Sequence, residues 1–173
     1  MSSPWTLLFH QCVIDQLDRL TAAADRARAS NPKTAHENAN VKLHAALAKL
    51  ILETVPSDPA RDEFRQGNTM GSEFRHWRRA KIGRRFRLFF RYDSRSKVIV
   101  YAWVNDENTL RSSGSKSDPY TVFLKMLERG NPPDTWDLLL RQSKNGARKR
   151  QRQAARRLGQ TDPGDRSERP GPR

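Results

Sequence analysis

Hydrophobic residues in the first third of the chain recur mainly at helical spacing. After a short apolar stretch at residues 5–9, which is compatible with a leading strand, positions 13, 14, 17, 20 and 24 follow the period of a helix. That helix is expected from about residue 10 to residue 29. Asn31-Pro32 has the pattern of an N-cap followed by proline at the first helical position. It predicts a second helix, ending near Glu53, with the apolar stripe Leu43, Leu47, Leu50 and Ile51.

After a polar loop at residues 57–74, hydrophobic residues recur at every second position, which is the period of a β-strand. DSRSK predicts a hairpin turn between a second strand and a third strand, KVIVYAWVN. The middle of the chain therefore predicts an antiparallel meander. In its first strand, one face carries Trp77, Arg79 and Lys81 and the other carries Arg78, Ala80 and Ile82. In its second strand, one face carries Arg85, Arg87, Phe89 and Arg91 and the other carries Phe86, Leu88, Phe90 and Tyr92.

The last third of the chain predicts two helices and a tail. Asp118-Pro119 marks the start of a helix that ends near Gly130, and a short helix follows from about Asp134. Residues 141–173 hold eleven Lys or Arg, three acidic residues and few apolar ones. Together these elements indicate an α+β fold, with a domain at residues 1–140 and a basic, disordered tail at residues 141–173.

The net charge points to an anionic partner. A formal charge of +14 over 173 residues favours polyanions or anionic surfaces. No run reaches the roughly 18 apolar residues of a membrane span, and the N-terminus lacks the basic and apolar regions of a signal peptide. A single cysteine excludes an internal disulfide, and the four histidines are scattered rather than grouped as metal ligands. We expect a soluble, cytoplasmic protein.

The most basic part of the chain is residues 75–91, with eight Lys or Arg and no acidic residue. The ordinary interpretation of such a stretch is the solvated face of an antiparallel sheet. Here no acid relieves the repulsion between neighbouring cations. Trp77 and Phe89 alternate with the cations in a way that suits base stacking beside phosphate contacts. The pattern favours a surface for single-stranded RNA.

Two residue types in this stretch are suited to chemistry. An arginine guanidinium holds phosphate oxygens in a planar fork but keeps its proton at neutral pH. A lysine crowded by positive neighbours can lose its proton, because like charge disfavours its charged form. Lys81 is the only lysine of residues 75–91. Such a surface is able to orient a 2′-OH, accept its proton and stabilise a pentacoordinate phosphate without metal.

Three runs of the sequence resemble one known family. They are HWRRAKIG, RFRLFFRYDSRSKVIVYAWVNDENTLR and KSDPYTVFLKMLERGNPPDTW. They are similar to the YhaV toxins of PrlF–YhaV toxin–antitoxin modules, which belong to the RelE-like ribonuclease superfamily. The resemblance is strongest over residues 64–137 and looser over the N-terminal helices. It implies a RelE-like α+β fold whose basic sheet face takes mRNA and cleaves it by attack of the neighbouring 2′-OH, with no metal or other cofactor.

The resemblance also implies roles for individual residues. Lys81 would be the general base, and Arg79 and Arg87 would hold the scissile phosphate. Arg111 would assist the leaving group, and Tyr120 would stack on or orient a base. Further RNA contacts are expected from Trp77, Arg78, Arg84, Arg85, Arg91 and Lys116.

Several of these residues also have alternative interpretations. Lys116 competes with Arg111 for its role, and Arg84 and Arg85 compete with Arg87 for the same phosphate. His76 is either a general acid or simply an exposed histidine. Trp77 is equally suited to covering an apolar edge. Tyr120 is spaced to anchor one face of a helix with Phe123 and Leu127. A structural role in a turn is favoured for Asn105, Asp106 and Glu107.

The leading hypothesis is the toxin of a type II toxin–antitoxin system. It would be an endoribonuclease that cleaves mRNA, either free or on the ribosome, inhibits translation, and is held inactive by a PrlF-like antitoxin. The alternative is a non-catalytic RNA- or ribosome-binding module on the same scaffold. Replacing Lys81 separates the two, because cleavage depends on a general base whereas binding loses only about one phosphate contact.

Overall fold

The computed structural model describes residues 4–145. Within them, four strands form one sheet: β1 (Thr6–Phe9), β2 (Arg78–Ile82), β3 (Phe86–Asp93) and β4 (Val98–Val104). Their spatial order is β1-β4-β3-β2. β3 pairs antiparallel with β2 and β4, as the meander predicted, and β1 is parallel to β4. β2 is therefore an edge strand of the sheet.

Helices cover both faces of this sheet, and the predicted α+β class is confirmed. The helices are α1 (Gln11–Ser30), α2 (Ala39–Lys49), α3 (Val55–Ser57) and α4 (Pro119–Glu128), with 3-10 turns at Ala35–Glu37, Asp62–Phe64 and Ser72–Phe74. α1 and α2 pack on one face, whereas α4 and a last helix at residues 136–145 pack on the other. A π-helical turn at Leu50–Thr54 joins α2 to α3.

The second helix begins later than the sequence pattern predicted. Asn31 ends α1 as its C-cap, and its N–H donates to the carbonyl of Ala27. Asn38 is the N-cap of α2, because its side-chain oxygen accepts from the N–H groups of Asn40 and Val41. The prediction made from Asn31-Pro32 is therefore wrong, since asparagine is favoured at both ends of a helix.

The alternation predicted for β2 and β3 is confirmed by the two cores. Ala80, Leu88 and Phe90 pack on the α1–α2 side, and Trp77 and Phe89 pack on the α4 side. Because successive strand residues point to opposite faces, the side chains of the intervening cations project on the α4 side. These cations are Arg79, Lys81 and Arg87.

An irregularity in β4 helps to hold α4 on the sheet. The register shifts between Phe89 and Phe90 of β3, whose partners are Trp103 and Tyr101. This β-bulge turns Trp103 to the α4 side, where its ring lies parallel to that of Phe123 with the centroids 6.0 Å apart. The Phe89 ring stacks on Phe123 at 4.3 Å. The aromatic stack fixes the position of α4 over the strands.

The last helix continues past residue 140, the boundary predicted for the domain. Ser143 is buried, and its hydroxyl donates to the Leu139 carbonyl at 2.7 Å. The remainder of the predicted tail, residues 146–173, lies outside the described residues. No helix within residues 4–145 is long and apolar enough to cross a membrane.

His10 links the start of α1 to the last helix. Its Nδ1 accepts a hydrogen bond from the N–H of Cys12, at 3.1 Å, and caps α1. The ring proton of neutral His10 therefore lies on Nε2, which donates to Oε1 of Gln142 at 2.7 Å. Burial lowers the pKa of His10 from its ordinary value, against smaller opposing effects of Gln142 and Asp15. The folded state thus needs the neutral imidazole.

We expect His10 to make the fold sensitive to acid. The unfolded chain takes up a proton below the ordinary pKa of 6.5, whereas the folded chain resists it. The contribution of His10 is therefore fully present above pH 6.5 and is lost as the pH falls toward the lowered pKa. Urea unfolding between pH 7.5 and pH 5 should show a falling free energy of unfolding.

The matched control is His10→Asn, which keeps an N-capping oxygen but does not titrate. The free energy of unfolding should depend less on pH in this variant than in the wild type. Equal pH dependence in the two proteins would show that His10 is not the titrating group.

Candidate active site

Two arginines on neighbouring strands donate to the same oxygen atom. The distance from Arg79 Nε to the hydroxyl oxygen of Tyr120 is 2.8 Å, and that from Arg87 Nε is 3.3 Å. Arg79 lies on β2, Arg87 on β3 and Tyr120 in the first turn of α4. Because a tyrosine hydroxyl is uncharged, it orients the two guanidinium groups without neutralising them.

The strand register brings Lys81 to the same place. Lys81 of β2 pairs directly with Arg87 of β3, while Arg79 pairs with Phe89. The Cβ atoms of directly paired residues lie about 5 Å apart on one face of a sheet. Lys81 therefore projects beside Arg87 on the α4 side. Lys81 is exposed, whereas Arg87 is only 6% exposed.

Backbone carbonyls hold the outer nitrogens of both guanidinium groups. Nη1 of Arg79 donates to the carbonyl of Glu63 at 2.5 Å, and Nη1 of Arg87 donates to that of Phe86 at 2.8 Å. These acceptors also carry no net charge. Among residues 4–145, no ion pair involves Arg79, Lys81 or Arg87. Lys81 and Arg79 thus keep uncompensated charges at the surface, and Arg87 keeps one just beneath it.

Arg111 joins these residues from the loop before α4. Its guanidinium carbon lies 4.8 Å from the centre of the Tyr120 ring, a favourable position for a cation over an aromatic face. Its Nη1 donates to the buried carboxylate of Asp118. Its backbone N–H donates to the Arg85 carbonyl at 3.0 Å, which attaches the loop to the β2–β3 turn. The structure thus gathers one group, hereafter the basic cluster: Arg79, Lys81, Arg87, Arg111 and Tyr120.

Asn105 fixes the backbone beneath this cluster. Its Oδ1 accepts from the N–H of Arg87 at 2.7 Å, and its Nδ2 donates to the carbonyls of Arg85 and Thr109 at 2.9 and 2.6 Å. Asp106 accepts from the Thr109 hydroxyl at 3.0 Å and closes the same turn. The structural roles predicted for Asn105 and Asp106 are confirmed.

Three further residues predicted to contact RNA have exposed side chains in the segments that join residues of the cluster. Arg84 and Arg85 lie in the turn between β2 and β3, and Lys116 lies in the loop before α4. None of the three forms an ion pair with a residue in the described range 4–145. An RNA contact by these side chains stays a prediction.

The prediction that Trp77 and Phe89 stack on RNA bases is wrong. Both side chains are 0% exposed. The Trp77 ring meets Phe123 edge-on with the centroids 5.0 Å apart, and its Nε1 donates to the Asp134 carboxylate at 2.7 Å. α4 covers this part of the sheet, and the period of a strand does not reveal which of its residues a later helix will bury.

Arg91 was predicted to contact RNA, but in the structure its side chain packs against other parts of the protein. Its guanidinium carbon lies 5.6 Å from the ring centre of Trp77 and 5.4 Å from that of Trp136. Its Nη1 donates to the Asp134 carbonyl at 2.5 Å. Burial lowers the pKa of Arg91, while the Asp134 carboxylate opposes that change. The side chain ties β3 to the last helix.

Arg78 is separated from the basic cluster by the sheet itself. Its guanidinium carbon lies 5.8 Å from the ring centre of Tyr92, whose partly buried ring packs on the α1–α2 side. The strand alternation had already assigned Arg78 to the face opposite Arg79. The structure therefore does not bring Arg78 to the site with the other predicted RNA contacts.

Tyr120 and His76 are both engaged with protein groups. Tyr120 is only 5% exposed and packs in one core with Phe123 and Leu127, which was its structural interpretation. The prediction that its ring stacks on a base is therefore wrong, and its hydroxyl is the part that serves the cluster. Nε2 of His76 lies 2.6 Å from the carboxylate of Asp134.

Sequence reasoning missed the second function of two acids. Asp118 and Asp134 were expected only as the starts of helices. Asp118 caps α4 through Tyr120 N–H and also binds Arg111, while Asp134 binds His76 and Trp77. A carboxylate has two oxygens and a helix cap requires only one. In the sequence, the signal for a second contact of this kind is an aspartate at a predicted helix start with arginines close to it in the chain.

The fold and the cluster together define an α+β protein with uncompensated guanidinium groups on one sheet face, an arrangement suited to binding a phosphodiester. One family model, Toxin_YhaV, described as a toxin with endonuclease activity of a toxin–antitoxin system, matches residues 7–144. The chain belongs to this YhaV toxin family. Membership in a toxin–antitoxin system implies an antitoxin partner.

Curated relatives agree with the family match. The ribonuclease toxin YhaV of Escherichia coli (strain K12) is 43% identical to the chain over 141 residues, which cover 80% of this chain and 92% of the relative. The toxin YhaV of Escherichia coli O157:H7 has the same identity and coverage. No solved structure was found to match the chain.

We expect Asn105→Asp to destabilise the fold by about 2–3 kcal/mol. The change removes the donors to the Arg85 and Thr109 carbonyls and places a carboxylate against them in a buried site. Urea unfolding measures the loss. Asn108→Asp, an exposed change in the same loop, is the control and should shift stability by less than about 0.5 kcal/mol. Equal effects of the two changes would contradict the role given to Asn105.

Proposed function

We propose that the basic cluster is the active site of an endoribonuclease that cleaves RNA by attack of the neighbouring 2′-OH. Lys81 accepts the 2′ proton, while Arg79 and Arg87 bind the non-bridging oxygens of the scissile phosphate. Arg111 stabilises the negative charge that develops on the departing 5′ oxygen. The family description and the name of the K12 relative support nuclease chemistry, and the geometry supports this distribution of roles.

The observation that carries the proposal is the shared bond to the Tyr120 hydroxyl. It holds two guanidinium groups in fixed positions while leaving both without a carboxylate partner. A phosphate forms charge-assisted hydrogen bonds with guanidinium groups, and these are roughly twice as strong as bonds between neutral groups. The substrate phosphate can therefore take the place of neutral acceptors at little cost.

The proposed reaction balances without a metal or a cofactor. The 2′ oxygen bonds to phosphorus as its proton passes to the Lys81 amine, and the bond from phosphorus to the 5′ oxygen breaks. The products are a 2′,3′-cyclic phosphate and, once the 5′ oxygen takes a proton from water, a 5′-OH, while Lys81 returns its proton to the solvent. The guanidinium groups supply fixed positive charge to the pentacoordinate phosphate, which is the contribution that preorganised donors make to catalysis.

Lys81→Ala should lower the single-turnover rate of RNA cleavage by roughly 10²- to 10⁴-fold, the usual contribution of a general base. Lys81→Arg should be almost as slow, because arginine keeps the charge but does not accept a proton at neutral pH. The assay uses an mRNA in EDTA, with and without translating ribosomes, and maps the chemistry of the fragment ends. The comparison between the two settings shows whether the toxin acts on the ribosome.

The control is Lys42→Ala, an exposed lysine on α2, across the sheet from the cluster. It should cleave like the wild type. Full activity in Lys81→Arg would reduce Lys81 to a phosphate contact. A wild-type protein that binds RNA but cleaves it in neither setting would favour the non-catalytic binding module.

We also propose that a PrlF-like antitoxin inactivates the protein by placing acidic side chains over the basic cluster. The unpaired charges of Lys81, Arg84 and Arg85, all exposed, support such a partner. Antitoxin and substrate would then bind in competition, because carboxylates would occupy the positions of the phosphates.

An excess of single-stranded RNA should therefore displace labelled antitoxin from the Lys81→Ala toxin, which leaves the competitor uncut. Both complexes should weaken as the salt concentration rises, since contacts between exposed charges are screened. Bovine serum albumin, an acidic protein of no related function, serves as the control competitor. A stable complex that contains toxin, antitoxin and RNA together would contradict competition for one surface.

A further inference from the structure

We propose that Asp118 is a positioning residue of the cleavage site, acting through Arg111 and Tyr120 rather than on the substrate. The inference rests on the proposed function, because it assigns how two residues of the basic cluster are held for cleavage. Asp118 lies at the N-cap of α4 and is only 1% exposed. Such a buried side chain has no route to an RNA phosphate.

The carboxylate of Asp118 binds three groups from two segments of the chain. Oδ1 accepts from Nη1 of Arg111 and, at 2.8 Å, from the N–H of Ser112. Oδ2 accepts from the N–H of Tyr120 at 3.1 Å. One side chain therefore holds both the loop that carries Arg111 and the start of the helix that carries Tyr120.

A helix cap alone does not account for a charge in this position. Neutral serine and asparagine cap helices about as well as aspartate does. Burying a carboxylate carries a desolvation cost of several kcal/mol unless a cation and hydrogen bonds compensate for it. Here the compensating cation is Arg111. The charge of Asp118 is thus explained by its pairing with Arg111 and not by the requirements of α4.

The pairing decides where the Arg111 guanidinium lies. The group is held over the Tyr120 ring at 4.8 Å, and the side chain remains 28% exposed. A guanidinium has five N–H donors, and Nη1 alone is committed to Asp118. Among residues 4–145 the remaining donors have no hydrogen-bond partner, so they can meet the leaving group. Without Asp118, the flexible Arg111 side chain would lose this position.

The same carboxylate also helps to position the other two arginines of the cluster, indirectly through Tyr120. It fixes the first turn of α4, and the Tyr120 hydroxyl in that turn accepts from Arg79 and Arg87. Misplacing a catalytic group by about 1 Å can slow a reaction by roughly 10²-fold. A change at Asp118 should therefore appear in the rate of the chemical step more than in the affinity for RNA.

The test compares four proteins in single-turnover cleavage and RNA binding: wild type, Asp118→Asn, Arg111→Ala, and the double variant. Asp118→Asn keeps one oxygen acceptor for the cap but removes the charge that pairs with Arg111. We expect it to lower the rate constant at saturating enzyme by roughly 10- to 100-fold and to change the RNA dissociation constant by less than about threefold. The double variant should be no slower than Arg111→Ala, because asparagine still caps α4 and keeps Tyr120 in place, so that only the pairing with Arg111 is lost.

Asp118→Ser provides a second capping residue in this position, and Asp137→Asn, an exposed change in the last helix, is the control. Circular dichroism confirms that each variant folds. Wild-type rates in Asp118→Asn and Asp118→Ser would overturn the proposal, as would additive losses in the double variant. Failure of both capping variants to fold would also overturn it, since the carboxylate would then serve the fold itself. A wild-type protein that does not cleave RNA would instead refute the proposed function.

Discussion

Arg79 and Arg87 share one acceptor, the hydroxyl oxygen of Tyr120, and the arrangement of the site depends on this pair of hydrogen bonds. Two guanidinium groups on adjacent strands repel each other. A carboxylate between them would remove the repulsion but would also remove the charge that an anionic substrate needs. A buried tyrosine orients both groups without neutralising either. The sheet, α4 and the loop before it all serve to bring that oxygen to the two strands.

Two other arginines near this face of the sheet are held by different kinds of contact. Arg91 is enclosed between Trp77 and Trp136 and is used for packing. Arg111 is paired with the carboxylate of Asp118. The fold thus places these arginines in three environments. Arg91 lies between two aromatic rings, Arg111 is in an ion pair, and the pair on β2 and β3 shares a neutral hydrogen-bond acceptor. Only the last leaves the full positive charge to be compensated by a phosphate.

Sequence patterns predicted the sheet well because a strand has a strict two-residue period. The alternation assigned Arg79 and Lys81 to one face of the first strand and Arg87 to one face of the second, and the register brings these faces to the same side of the sheet. The same patterns failed where burial depends on distant segments. Trp77 shares a face with Lys81, yet α4 buries the tryptophan and leaves the lysine exposed. The two-residue period of a strand does not show which of its residues will be covered by a helix from another part of the chain.

The resemblance to a known family supplied what periodicity lacked, namely which residues of this face to group with Arg111 and Tyr120. It did not show which contacts these residues make. Tyr120 is too deeply buried to stack on a base, and its hydroxyl instead holds two arginines.

The strengths of the contacts then separate the arginines by role. Arg79 and Arg87 are held by the neutral Tyr120 hydroxyl and by backbone carbonyls, so they gain energy on turning to a phosphate. Arg111 is held by a buried carboxylate and would leave it uncompensated if it moved, which costs roughly 3–5 kcal/mol. Arg79 and Arg87 are therefore suited to exchanging neutral acceptors for the substrate phosphate while their positions are kept. Arg111 is suited to staying fixed while charge develops beside it.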